Sequence, residues 1–325
     1  MRHPLPALVL LLLLAVAAVI FCPLMGMKYI PLSADGLERE ILISLRIPRV
    51  LCAFAAGAML ALSGMSFQAL FRNPLATPFT LGISSGAALG AATFIRMGLA
   101  FTLIGISGTS LAAFAGALLA VVLVYGLTRL KGGFTTTTLL LAGIAISFFF
   151  SSLILLIQYL SGFEQSFRIV QWMMGSLTAA DYGKVINLLI FLGGGGTLLL
   201  FLHREMNLLM VGEDIAVSRG VNVGRVKKLI FLAASLLVGG VVAVCGPIGF
   251  VGMMAPHICR LLVGADHRWL APASFLFGGL FLTVCDTLAR SAPSGAEIPV
   301  GIITAMLGGP FFIWLLLNRK GDLEL

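Results

Sequence analysis

The stretch V-L-C-A-F-A-A-G-A-M-L-A-L-S-G-M-S-F-Q-A-L, Val50–Leu70, carries no charge and sets only two serines and one glutamine among small and apolar side chains. As a helix it rises about 30 Å, the thickness of the hydrocarbon core of a bilayer. Read as a strand it fails, because the apolar residues run on continuously instead of alternating at period two. In lipid every backbone N–H and C=O needs a partner within the chain, which leaves helices and closed barrels as the spanning structures. A continuous run selects the helix.

Similar runs lie on either side of it, and the length rule gives about ten spans. They are Leu5–Met27, Val50–Leu70, Pro78–Phe94, Phe101–Leu127, Leu139–Leu160, Val185–Leu202, Lys228–Pro247, Gly249–Val263, Trp269–Leu288 and Pro299–Leu316. The first has a basic start at Arg2 but no Ala-x-Ala site, and Phe21 before Cys22 spoils a lipoprotein box, so an uncleaved helix is expected. The expected fold is all-α, a polytopic transmembrane bundle with residues 1–325 as one transmembrane domain. Composition agrees. Of 325 residues 59% are hydrophobic and 10% charged, against about 25% charged in soluble domains, and the mean hydropathy is +1.08. The 38 glycines suit helices that pack closely in lipid.

The net charge of +8 is scattered through short polar loops, which is how membrane topology is written, so nucleic acid is not an expected partner. With the N-terminus inside, 13 of the 21 basic residues fall on inner segments, Arg2, Lys131, Arg319 and Lys320 among them, and 8 on outer ones. That favours both termini in the cytoplasm. Four of the outer charges, Lys28, Arg39, Arg46 and Arg49, precede the second span and run against the trend. The longest polar interruption beyond them is 206–227, M-N-L-L-M-V-G-E-D-I-A-V-S-R-G-V-N-V-G-R-V-K. Gly212 and Gly220 break it, and Ile215 and Val217 sit among charges, so one or two short amphipathic helices are expected on the inner face. Bundle connections usually take 2–8 residues, and a segment this long reads as a docking surface.

Chemistry of the chain's own is scarce. No G-x-x-x-x-G-K-[ST] is present, since Gly183-Lys184 is followed by Val185, so ATP phosphates are not cradled by that device. Cys22, Cys52, Cys245, Cys259 and Cys285 show no Cys-x-x-Cys spacing, and His257 and His267 lack zinc spacing. Neither a cofactor, a metal site nor a catalytic group is expected, and the chain does not read as an enzyme. Asp286 is the one carboxylate clearly inside a span, with Arg290 four residues on, on the same helix face. It reads as half of a structural ion pair or as a relay in an ion-coupled secondary carrier working without an ATPase.

Several blocks resemble the permease subunits of bacterial ABC importers for iron–siderophores, haem and cobalamin. They are R-I-P-R (Arg46–Arg49), G-A-M-L-A-L-S-G-M-S-F-Q (Gly57–Gln68), R-N-P-L-A-T-P (Arg72–Pro78), L-G-I-S-S-G-A (Leu81–Ala87) and L-L-L-A-G-I-A (Leu139–Ala145). W-M-M-G-S-L (Trp172–Leu177), G-E-D-I-A (Gly212–Ala216), G-F-V-G-M-M-A-P-H-I-C-R (Gly249–Arg260), G-A-D-H-R (Gly264–Arg268) and E-I-P-V-G (Glu297–Gly301) continue the likeness in order. Thr77, Cys285 and Ser218-Arg219 depart from the usual pattern.

The resemblance implies a homodimer of ten-helix subunits with an inverted repeat, the second to fifth helices against the seventh to tenth. Two cytoplasmic ATP-binding subunits and a periplasmic or lipid-anchored solute-binding protein would complete it. It implies a cytoplasmic coupling element at Gly212, Glu213, Asp214, Ala216 and Gly220, within 206–227. It places a cytoplasmic gate at Asn73 and Leu75 with Thr136 and Thr137 of the run Thr135–Thr138, which follows Gly132-Gly133. Those threonines read equally well as a helix cap. It assigns Arg46, Arg49 and, less directly, Arg290 to docking of the binding protein, with membrane anchoring or pairing to Glu38, Glu40 and Asp286 as the plainer role.

Overall fold

The computed structural model describes residues 4–103, 105–130, 135–178, 180–292 and 297–318. Arg2, Lys131, Arg319 and Lys320 of the basic count, and the Gly132-Gly133 pair, lie outside them. Fifteen helices are found among the described residues. The first seven are α1 (Pro4–Phe21), α2 (Leu37–Ile41), α3 (Ile47–Phe71), α4 (Ile83–Arg96), α5 (Gly108–Leu130), α6 (Thr136–Tyr159) and α7 (Phe163–Met173). There follow α8 (Tyr182–Phe191), α9 (Thr197–Phe201), α10 (His203–Val211), α11 (Glu213–Ser218), α12 (Val223–Cys245), α13 (Val251–Val263), α14 (His267–Ser291) and α15 (Val300–Asn318). A two-residue antiparallel ladder, Thr102–Leu103 with Ile106–Ser107, precedes α5.

Seven helical segments among the described residues are long and apolar enough to cross a membrane: Pro4–Leu24, Leu37–Phe71, Gly108–Leu130, Thr136–Tyr159, Tyr182–Phe201, Val223–Cys245 and His267–Ser291. The expected spans Gly249–Val263 and Pro299–Leu316 coincide with the shorter apolar helices α13 and α15. Pro78–Phe94 resolves into a 3-10 turn, Pro78–Leu81, and the 14-residue α4. Gly82 between them takes φ 78°, a left-handed conformation that interrupts a continuous helix.

Two segments join through a π turn. Leu42–Arg46 links α2 to α3, so the helical run extends from Leu37, well before Val50. Pro48 supplies the reason. Its ring removes an amide hydrogen and crowds the carbonyl one turn earlier, and a locally widened turn relieves both. The charged start of this run, with Glu38, Arg39 and Glu40, is exposed or nearly so. The second π turn, Leu192–Gly196, joins α8 to α9.

The core is built around α3, which packs on α14, α12 and α13 and whose Met59, Met65 and Phe67 are wholly buried. Lipid is as apolar as a leucine, so close packing and dispersion hold such a bundle rather than escape from water. Gly64 shows how close the approach is: a Cβ there would lie 1.6 Å from the carbonyl oxygen of Gly252 on α13.

Candidate functional site

The two ends of α3 carry two polar assemblies. At its C-terminal end Arg72 turns the chain out of the helix in a left-handed conformation, φ 48°. Asn73 Oδ1 then accepts from the Leu75 amide at 2.9 Å, which fixes the R-N-P-L loop as an Asx turn. Next to this loop stand α10 and α11, the short helices expected from the polar interruption. Gly212 between them takes φ 157° and ψ 150°, a region that an L side chain rarely enters. Helix α11 begins at Glu213 and Asp214, where carboxylates favour a helix start.

The far end of α11 closes as a Schellman motif. Val221 N donates to the Ala216 carbonyl at 3.0 Å and Gly220 N to that of Val217 at 2.9 Å, with Gly220 at φ 81°. Asn222 then caps α12 by accepting from the Arg225 amide at 3.0 Å. Glu213 accepts from Lys227 of α12 at 2.6 Å and lies 3.5 Å from Arg72 at the end of α3. On α10, Asn207 Nδ2 donates to Asp266 at 2.7 Å, while its Oδ1 accepts the His267 amide at 2.9 Å. Asp266 caps α14, and the amides of Arg268 and Asn207 hold its carboxyl below the usual carboxylate range. The α10–α11 pair is therefore tied to three long helices, α3, α12 and α14.

The threonine run starts α6. Thr135 is the cap, accepting from the Thr138 amide at 3.3 Å. Thr136 and Thr137 fall in the first turn, the former half-buried and the latter exposed. Leu75 is exposed in the loop after α3. Among the described residues no hydrogen bond joins Asn73 or Leu75 to Thr136 or Thr137 within the chain.

At the opposite end of α3 the arginines point into the protein. Arg49, 8% exposed, grips Asp286 with Nε and Nη2 at 3.0 Å and donates Nη1 to Glu297 Oε2 at 2.7 Å. The i,i+4 pairing of Asp286 with Arg290 is present but longer, 3.8 Å. Arg290 instead donates to the Cys22 carbonyl and to Thr287 Oγ1 at 3.3 Å. Arg46 donates to the Leu24 and Lys28 carbonyls at 3.1 and 2.8 Å and pins the loop after α1. Arg49 thus couples the start of α3 to α14 and to the approach to α15. Nothing in local spacing links Glu297, within E-I-P-V-G, to Arg49, which lies 248 residues away in the chain. Glu213 and its partners, Lys227 and Arg72, are likewise not linked by spacing.

With this geometry in hand, the comparisons with known proteins converge. The FecCD transport family model matches residues 5–318. The hemin transport system permease protein HmuU of Yersinia pestis is 40% identical over 86% of this chain and 84% of its own length. The cobalamin import system permease protein BtuC of Halobacterium salinarum is 42% identical over 85% of this chain and 73% of its own. A solved inward-facing ABC transporter, assigned to the metal-chelate type, superposes with a TM-score of 0.87 at 34% identity, covering 96% of this chain and 99% of that one. A chain of apolar helices with this match, end to end, belongs to the FecCD transport family.

Proposed function

We propose that the chain is the membrane-spanning permease subunit of an ATP-driven importer that brings a metal chelate, a haem or a corrinoid across the bacterial cytoplasmic membrane. Relatives named for hemin and for cobalamin import support this cargo class. In this reading the permease has about ten spans, arranged as an inverted repeat with both termini cytoplasmic. It works as a homodimer with two cytoplasmic ATP-binding subunits, which hydrolyse ATP, and a periplasmic or lipid-anchored solute-binding protein. Asn73, Leu75, Thr136 and Thr137 form its cytoplasmic gate across the two protomers. Arg46 lies on the face toward the binding protein, and the buried Arg49 and Arg290, expected from the resemblance to dock it directly, brace that face from within.

The observation that carries the reading is the α10–α11 clamp. A surface helix fastened to α3, α12 and α14 through Glu213, Lys227, Arg72, Asn207 and Asp266 transmits a push from outside to the core of the bundle. A free loop would absorb that push. The Gly212–Gly220 segment would then enter a cleft of the ATP-binding subunit as a rigid knob, with Asp214 and Gly220 exposed to the partner and Ala216, wholly buried, packing the knob onto the bundle. Replacing Gly212–Gly220 by a flexible Gly/Ser linker is expected to abolish the ATP hydrolysis stimulated by binding protein in the reconstituted complex, with the dimer retained. Stimulation that survives the replacement overturns the coupling role.

A further inference from the structure

Two cavities follow one another along the seam where α12 packs on the α8–α9 run. Gly195 meets Ala233 and Leu237 across that seam, while α10, which continues the run, shares a cavity with Val226, so the helices lie antiparallel. At the α10 end a polar socket of 720 Å³ is lined by Arg204 and Glu205 of α10, Arg219 after α11, and Val226 of α12. Further along, an apolar groove of 300 Å³ runs between Gly194 and Leu198 on one side and Leu232 and Gly239 on the other, with α5 as its third wall.

The socket end is rich in cations. Arg204 and Arg219 are exposed, as are Arg225 and Lys228 in the first turns of α12, and none of the four makes an ion pair among the described residues. Glu205 is the carboxylate of the lining, and its Oε2 is buried without a hydrogen-bond partner. Glu213 of α11 is taken by Lys227 and Arg72, and Asp214 stands outside the lining. Lys228, Leu232, Ser235 and Gly239 recur at the spacing of one helix face, which sets an ammonium at the mouth of the groove. From Lys228 to Gly239 the helix rises about 16 Å, close to half of the roughly 30 Å hydrocarbon core and so to the depth of one leaflet.

Like charges gathered at one rim persist at a cost that a bound anion removes. Guanidinium forks match phosphate oxygens in bidentate fashion, and basic pockets between spanning helices suit anionic lipid headgroups. A zwitterionic headgroup would bring its own cation to these arginines. A phosphatidylserine carboxylate would face Glu205.

We propose that the seam holds one phosphatidylglycerol of the cytoplasmic leaflet. Its phosphate sits on Arg204 and Arg219, a glycerol hydroxyl donates to Glu205 Oε2, and one acyl chain fills the groove. This rests on the reading that α10 and α11 face the cytoplasm. Because Arg219 belongs to the Gly212–Gly220 segment, the lipid ties the root of the coupling knob to the membrane.

Native mass spectrometry of the full-length permease gives the test. The protein in dodecylmaltoside is mixed with equal amounts of phosphatidylglycerol, phosphatidylserine and phosphatidylcholine of one chain length. Phosphatidylglycerol is expected to be retained most tightly, as a single copy on each chain. Arg204→Gln with Arg219→Gln is expected to weaken it about tenfold. Arg39→Gln with Arg168→Gln, exposed cations outside both linings, is expected to leave it unchanged. Gly194→Leu places a side chain in the groove, since nothing lies within 4 Å of a carbon added there, and is expected to weaken all three lipids alike. Glu205→Gln, nearly isosteric, is expected to let phosphatidylserine compete.

Equal retention of phosphatidylserine by the unaltered protein overturns the proposal. So does an affinity indifferent to the arginine pair or to Gly194→Leu, or a preference that survives Glu205→Gln. A loss reproduced by the Arg39 and Arg168 pair overturns it too, because general surface charge then explains the binding. The measurement needs no ATP-binding subunit, so its failure leaves the importer reading standing. Absence of ATP-driven chelate uptake with the lipid still bound counts against that reading alone.

Discussion

Asp286 is buried with both oxygens within 3.0 Å of Arg49, so its charge is neutralised where it sits. Taking a charge out of water costs several kcal/mol, and the loss of one partner exposes that cost in full. Asp286→Asn is therefore expected to destabilise the permease by about 3–5 kcal/mol, read as a lower melting temperature in detergent. The pH profile of transport is expected to stay where it was. A second substitution, Arg49→Met, is expected to recover part of the loss, since a buried pair is often replaceable by apolar groups. A shifted pH profile in Asp286→Asn would instead point to ion coupling. In the sequence, the helical spacing of Asp286 and Arg290 was legible, yet the stronger partner lies 237 residues away. Helical periodicity reports neighbours one turn apart and is silent about contacts between distant helices, which tertiary packing decides.

The elements themselves were far easier to read. Lipid enforces internal hydrogen bonding on any spanning segment, so a long apolar run has almost no alternative to a helix. Ends were less legible, because they depend on single residues: Pro48 with its π turn and Gly82 with its left-handed backbone moved two of them. Amphipathic α7 was not foreseen either, since it lies outside the long apolar runs. Packing between elements rests on backbones in contact. Gly64→Ala is expected to force α3 and α13 apart and to lower stability by at least the ~1–3 kcal/mol typical of overpacking. Gly126→Ala, on α5 with nothing within 4 Å of the added carbon, is expected to be neutral or slightly stabilising. Comparing the thermal unfolding of the two in one lipid separates contact from propensity. At the start of α14, Asp266→Ala removes a cap and a tie to α10, and is expected to cost about 1 kcal/mol. The folded carboxyl of Asp266 titrates below its unfolded value, so the wild-type advantage is full above the ordinary carboxylate pKa, about 4, and fades as pH falls through the lowered one. Melting curves of both proteins at neutral and acid pH check the sign.

At the scale of the whole molecule, Arg46, Arg49 and Arg290 divide in a way that sequence spacing concealed. Arg49 and Arg290 are committed to the interior, while Arg46 holds backbone carbonyls near the surface of the loop after α1. Charge reversal at Arg49 would set a third carboxylate beside Asp286 and Glu297, so the docking role is tested more cleanly at Arg46. Arg46→Gln is expected to weaken binding of the solute-binding protein several-fold at low salt and to flatten the salt dependence of docking, because such contacts act mainly through encounter and register. Docking titrations at two ionic strengths read both effects.

The grip of Arg49 on Asp286 and Glu297 also bears on how the protein is made. The second span leaves the ribosome long before α14 does, so its arginine waits at the membrane surface while most of the chain is still unsynthesised. Its two carboxylates arrive only with the closing helices. Until then the half-made permease holds a cation that lipid will not bury, and α3 cannot settle to its final depth. Completion of the chain thus brings the carboxylates that quench this charge, and a product cut short before α14 lacks both of them.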